Sequence, residues 1–164
     1  MERRELFSFL SSSVKPKQSD SEKEIVVRPP YFKNSDAFDT ECQDCDGKCA
    51  SLCQEQIIII GEDKTPRLDF SSRGCTYCDE CAIGCPKDVL NLEDKRKIDV
   101  DVYIDQASCL SWNGVMCFSC KDPCLEDAID FKAMFMPEIN DKCTSCGFCI
   151  SRCPSNSIML KVVS

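Results

Sequence analysis

Cys75-Thr76-Tyr77-Cys78-Asp79-Glu80-Cys81-Ala82-Ile83-Gly84-Cys85-Pro86 decides the reading of this chain. Three cysteines, each two residues from the next, let a looping backbone present three sulfurs to three corners of one cube. A fourth, three residues on and followed by proline, characteristically serves a neighbouring cluster. The spacing is that of a cubane [4Fe–4S] site. The same run returns 68 positions on, as Cys143-Thr144-Ser145-Cys146-Gly147-Phe148-Cys149-Ile150-Ser151-Arg152-Cys153-Pro154. Upstream of each lies a matching step, Pro66-Arg67-Leu68-Asp69 and Pro137-Glu138-Ile139-Asn140, so the chain carries an internal repeat.

Eight further cysteines form two less regular quartets, Cys42, Cys45, Cys49, Cys53 and Cys109, Cys117, Cys120, Cys124; none of the sixteen is left over. In the first, Gly47 can take a positive φ and absorb the extra residue between Cys45 and Cys49. In the third, Gly114 sits in the long gap after Cys109, and Trp112 is placed to shield a cluster edge. Gln54 and Leu125 stand where the regular quartets have proline. Four [4Fe–4S] clusters are expected, with the last cysteine of each quartet crossing to its neighbour's cluster. The expected sets are Cys42, Cys45, Cys49 with Cys85; Cys75, Cys78, Cys81 with Cys53; Cys109, Cys117, Cys120 with Cys153; and Cys143, Cys146, Cys149 with Cys124. A labile, three-iron or empty site is the alternative for the irregular quartets. Structural zinc prefers separated Cys-x2-Cys pairs, and a disulfide framework needs an oxidising compartment; both stay open as rivals.

Outward from the cysteines, Ile57–Ile60 and Ala128–Phe131 follow the irregular quartets, with Leu68 and Ile139 a few residues on. Each pair fits two short strands joined by a turn. Ile98, Val100, Val102 and Ile104 alternate with Asp99, Asp101, Tyr103 and Asp105, the pattern of a half-buried strand. Between third and fourth cysteines there is room for one or two helical turns. The expected class is α+β, a tandem duplicated bacterial-type two-cluster ferredoxin-like fold: residues 40–97 and 98–164, behind an N-terminal arm, 1–39, that is partly disordered. Lys15–Glu24 reads as linker, and Pro29-Pro30 as an extended turn. Tyr31, Phe32 and Phe38 are expected either to pack on the first cluster or to belong to a partner-binding arm.

The chain has 164 residues and a net charge of −8. Such acidity argues against nucleic acid as partner and suits a carrier that docks on basic patches. With no histidine, His-ligated zinc, His-ligated haem, Rieske centres and histidine acid–base chemistry are excluded. Arg3-Arg4 hints at a twin-arginine signal, but Leu6, Phe7, Phe9 and Leu10 make too short an apolar region for one. No stretch approaches the ~20 apolar residues of a membrane span. A cytoplasmic protein is expected, in a compartment that keeps thiols free for metal.

No phosphate loop or dinucleotide fingerprint accompanies the cysteines, so an electron carrier is expected rather than an enzyme. Taken together, Arg3-Arg4, Arg28-Pro29-Pro30, the form of the third quartet beginning Cys109-Leu110, and the regular fourth quartet resemble the NapF family, ferredoxin-type accessory proteins of periplasmic nitrate reductase systems. The extra residue in the first quartet departs from that family's spacing. The resemblance implies four [4Fe–4S] clusters and a cytoplasmic role in maturing the catalytic molybdenum subunit before its export, through electron transfer. The partner would be that subunit's precursor, met by way of the N-terminal arm. An electron-transfer subunit or free ferredoxin of another anaerobic redox complex is the alternative, and a zinc-stabilised interaction module a third reading.

Overall fold

The alternation that begins at Ile98 becomes strand in the computed structural model, which describes residues 25–162. In that strand Val100 and Val102 are buried while Asp101 and Tyr103 face solvent. Six short strands lie among the described residues: β1 (Ile58–Ile60), β2 (Pro66–Leu68), β3 (Val100–Ile104), β4 (Ile129–Lys132), β5 (Met136–Ile139) and β6 (Ile158–Val162). They pair antiparallel as β1–β2, β4–β5 and β3–β6. The two hairpins follow the irregular quartets, at the positions expected. The third pair joins the ends of the C-terminal half, with Val100 opposite Val162 and Ile104 opposite Ile158.

The helices are α1 (Asp36–Glu41), α2 (Lys48–Leu52), α3 (Glu80–Ile83) and α4 (Phe148–Arg152). Helices this short do not persist alone. Three of them are set by a left-handed residue just before the first turn, namely Gly47 at φ 67°, Asp79 at φ 69° and Gly147 at φ 83°. Gly47 thus absorbs the extra residue of the first quartet in the way its missing Cβ allows. A second left-handed position recurs three residues after the last cysteine of every quartet: Gln56, Asp88, Asp127 and Asn156. Three of these are Asp or Asn, which tolerate that region best after glycine. The irregular quartets therefore leave the cysteine loop with the same backbone turn as the regular ones.

The boundary expected at residue 39 falls inside a packed segment. Val27, Pro29, Pro30, Tyr31, Phe32 and Phe38 are all buried, and Val27, Tyr31, Phe32 and Phe38 belong to one cluster with Ile57, Ile58, Leu68, Phe70, Val89, Leu90 and Ile98. Pro29 and Pro30 have no N–H to donate. The segment joins the body through acceptors instead, with Arg96 N donating to Pro30 O (2.9 Å) and Asn91 N to Tyr31 O (2.7 Å). Arg28 donates to Thr65 Oγ1 and to Pro66 O in the β1–β2 hairpin and lies 4.7 Å from the Phe38 ring centre. Residues 1–24, including Arg3-Arg4 and the Lys15–Glu24 linker, lie outside the described residues. The apolar core is uneven: the cluster of the C-terminal half centres on Val102, Cys120, Ile129 and Ile158 alone.

The two regular quartets meet face to face. Cys75 N donates to Cys146 O at 2.7 Å, and Tyr77 Oη donates to Thr144 O at 2.5 Å. Glycine is required at this contact. A Cβ on Gly74 would come 2.5 Å from Phe148 N, and one on Gly147 would come 2.3 Å from the Phe70 ring.

Candidate metal centre

Each cysteine loop presents its first three sulfurs to one side and sends its last cysteine to the far end of a short helix or turn. The result is a regrouping across quartets. Cys53, Cys75, Cys78 and Cys81 line one cavity, Cys124, Cys143, Cys146 and Cys149 a second, and Cys109, Cys117, Cys120 and Cys153 a third. The remaining four sulfurs also fall together, since Cys42 and Cys49 both feel the charges of Cys45 and Cys85. Neighbouring groups approach one another at three places: Cys81 with Cys49, Cys75 with Cys146, and Cys149 with Cys120. The four groups thus follow in a row, with those built on the regular quartets in the middle.

All sixteen cysteines are free of disulfides; Cys49, Cys81, Cys109 and Cys120 are buried and Cys78 is exposed. Burial pushes the thiols of Cys49, Cys75 and Cys120 up to about 11, and those of Cys81 and Cys149 up to about 12. A thiolate in these places needs a positive partner inside the cavity. At Cys153 burial also raises the thiol, but the Ser157 hydroxyl and amide, followed by Ser155, outweigh it and bring it below its ordinary value.

The donor set can be tested against what it could hold. Sulfurs sharing one zinc ion at 2.3 Å must lie about 3.8 Å apart. Among the described residues no three Cys, Asp or Glu side chains gather closely enough to share a single metal ion. Four thiols that line one cavity without converging on a single ion suit a larger body with four corners. The lining is otherwise mainly apolar in the Cys53 cavity, with Pro29, Pro30, Ile57, Ile58 and Leu68. Ser111 Oγ, in a residue 1% exposed that lines the third cavity, has no hydrogen-bond partner among the described residues. These residues fit a [4Fe–4S] cluster.

The long gap of the third quartet is closed by Asn113, whose side-chain amide donates to the carbonyls of Gln106, Ala107 and Cys109 at 3.2, 3.1 and 2.8 Å. Gly114 follows at φ 79°. Trp112 is not among the residues that line the third cavity; its Nε1 donates to Pro137 O at 3.1 Å and ties the loop to β5. Sequence reasoning missed the serines of this cavity, Ser111, Ser119, Ser155 and Ser157. Their signal was available in the repeat. The residue four places after the last cysteine is Ile57, Val89, Ala128 and Ser157 in the four quartets.

Comparison with known proteins agrees with the cysteine pattern. The 4Fe-4S binding domain family (Fer4) matches residues 137–159, from β5 through the fourth quartet into β6. The ferredoxin-type protein NapF of Escherichia coli strain K12 is 31% identical over 137 residues, covering 80% of this chain and 82% of the relative. NapF of Haemophilus influenzae is 29% identical, covering 83% of this chain and 79% of the relative. The ferredoxin-type protein NapG of Escherichia coli strain K12 is 27% identical, covering 85% and 71%. No helix among the described residues is long and apolar enough to cross a membrane.

Proposed function

The chain belongs to the NapF family of ferredoxin-type iron–sulfur proteins, and from that premise we propose that its sixteen cysteines hold four [4Fe–4S] clusters. We assign it to the cytoplasmic maturation of the molybdenum subunit of a periplasmic nitrate reductase, through electron transfer rather than catalysis. The two halves, residues 40–97 and 98–164, are read as a duplicated two-cluster ferredoxin-like unit. The ligand sets are the four crossed groups expected from the spacing. One observation carries the reading: the last cysteine of each quartet stands beside the first three of its neighbour, around a cavity in three of the four cases.

When bound, such clusters take up and release single electrons. The chain's own residues set where they sit. Gly47, Asp79 and Gly147 turn the loops; Cys75 N–H and Cys146 O bind the two middle groups to each other through one hydrogen bond. Asp79, between Cys78 and Cys81, accepts from the Tyr31 hydroxyl at 2.8 Å and from Lys95 Nζ at 2.7 Å. The Lys95 and Tyr31 hydrogen bonds hold the Asp79 carboxyl below its ordinary range. This links the N-terminal segment, the loop of the second quartet and the linker between the halves.

The test is anaerobic co-purification from cytoplasm containing the unexported precursor of the molybdenum subunit. The intact chain is expected to retain that precursor transiently, and a chain lacking residues 1–24 to retain less of it. A truncation that stops there spares Val27, Pro29 and Pro30. Stable co-purification with a mature redox complex, and none with the precursor, contradicts the maturation role and favours a relay ferredoxin. Unchanged capture by the truncated chain contradicts the part given to the N-terminal residues.

A further inference from the structure

The position four residues after the last cysteine of each quartet is buried every time: Ile57 is 1% exposed, Val89 6%, Ala128 1% and Ser157 1%. Three of the four are apolar, as burial demands. The exception is a hydroxyl that must find a partner, because an unsatisfied buried donor costs about 1–3 kcal/mol. Its partner is a cysteine sulfur. Ser157 Oγ lies 3.1 Å from Cys153 Sγ, and Ser157 N donates to the same sulfur at 3.2 Å. Ser155 Oγ donates to Ser157 Oγ at 3.3 Å and stands 3.6 Å from Cys153 Sγ, so the hydroxyls form a short chain ending on sulfur. An iron-bound thiolate has no proton, so the hydroxyl is the donor there. Across the cavity, Ser111 lines the same space, and its buried Oγ has no hydrogen-bond partner among the described residues.

The other sites are differently furnished. In the Cys53 cavity the Tyr31 hydroxyl is committed to Asp79. In the Cys124 cavity Ser145 Oγ donates to Val100 O at 2.6 Å, and Cys146 takes one hydrogen bond from the Thr144 hydroxyl and one from the Phe148 amide. Backbone amides reach Cys49, Cys75, Cys85 and Cys124 singly, from Ala50, Tyr77, Leu90 and Ala128. Hydrogen bonds to the sulfurs are one of the means by which a protein sets a cluster's potential. They favour the reduced, more negative form, because that form has more charge to share with the donor.

We propose that Ser157, assisted by Ser155 and Ser111, makes the site of Cys109, Cys117, Cys120 and Cys153 the most readily reduced of the four. An electron entering the row anywhere then comes to rest at this end of it. The inference rests on the four-cluster reading and adds a direction to it. Ser157 acts through Cys153 and is a positioning residue for charge.

Anaerobically purified full-length protein, titrated with dithionite and followed by EPR, tests it. A Cys117→Ser variant identifies which signal belongs to this site. The expected result is that this signal appears first, at the highest potential. Ser157→Ala and Ser111→Ala should each move it to lower potential, with iron content and the other three signals unchanged; Ser157→Thr should restore it. The reciprocal Ala128→Ser, at a position whose amide already donates to Cys124 Sγ at 3.2 Å as that of Ser157 does to Cys153, gives the repeat-related Cys124 the same donor and should raise the potential of the Cys124, Cys143, Cys146, Cys149 cluster. If Ser157→Ala loses its cluster, Ala128→Ser decides alone: an upward shift supports the inference and none overturns it. Four intact clusters whose first-reduced signal ignores both alanine variants overturn the inference and leave the cluster reading standing. Wild-type protein without acid-labile sulfide overturns both.

Discussion

Anaerobic removal of iron from the purified protein is expected to abolish its cooperative thermal transition, with residues 98–162 losing structure first. The reason is the unevenness of the core. The N-terminal half buries Tyr31, Phe32, Phe38, Ile57, Leu68, Phe70 and Leu90 in one cluster, which Ile98 and Val100 join from the start of the C-terminal half. The C-terminal half has Val102, Ile129 and Ile158, with partly buried Ile104, Phe131 and Ile139 against them. A half of that size is marginal on apolar burial alone, and its helix of five residues has no independent stability. Its cavities, lined by thiols, would be left without the body that joins their walls. In small metal-dependent domains the metal supplies of order 10 kcal/mol, comparable to the whole stability of about 5–15 kcal/mol of a domain. Hydrogen exchange during progressive iron loss checks the order. Amides of β3, β4, β5 and β6 are expected to lose protection before those of β1 and β2. An intact cooperative transition in iron-free protein contradicts the prediction.

Replacing Cys53 by serine is expected to cost the cluster of Cys75, Cys78 and Cys81, and to spare that of the quartet in which Cys53 stands. Cys53 lines the cavity of the second quartet's first three cysteines, while Cys85 is the one that faces Cys42 and Cys49. Iron content should fall by about a quarter, one cubane of four. The EPR signal lost should be the one also lost in a Cys78→Ser variant. The converse, Cys85→Ser, should match Cys45→Ser. If Cys53→Ser instead matches Cys45→Ser, the ligands do not cross and the assigned sets are wrong.

The two outcomes follow from features unequally visible in the sequence. The hairpins after the irregular quartets and the strand at 100–104 were legible because aliphatic runs and period-two alternation act locally. Gly47 was legible for the same reason, as only glycine takes φ 67° without penalty. The packed segment from Val27 to Phe38 was not. Pro29-Pro30 reads as a break in secondary structure. Nothing local reveals that its carbonyls accept from Asn91 and Arg96, some sixty residues on. The contact of Gly74 and Gly147 with the opposite half was hidden similarly, since a glycine inside a cysteine loop looks like turn chemistry until Phe70 and Phe148 are seen against it. Ser157 lay between these cases: hidden in one quartet, and visible once the four are aligned on their last cysteine.

Iron, zinc and acid-labile sulfide measured on the same anaerobically purified sample test the central claim most directly. Four cubanes per chain require iron and sulfide in equal amounts, about sixteen of each, with zinc absent. Zinc near stoichiometry with the cysteine groups, and no labile sulfide, would show that these cavities are built around something else.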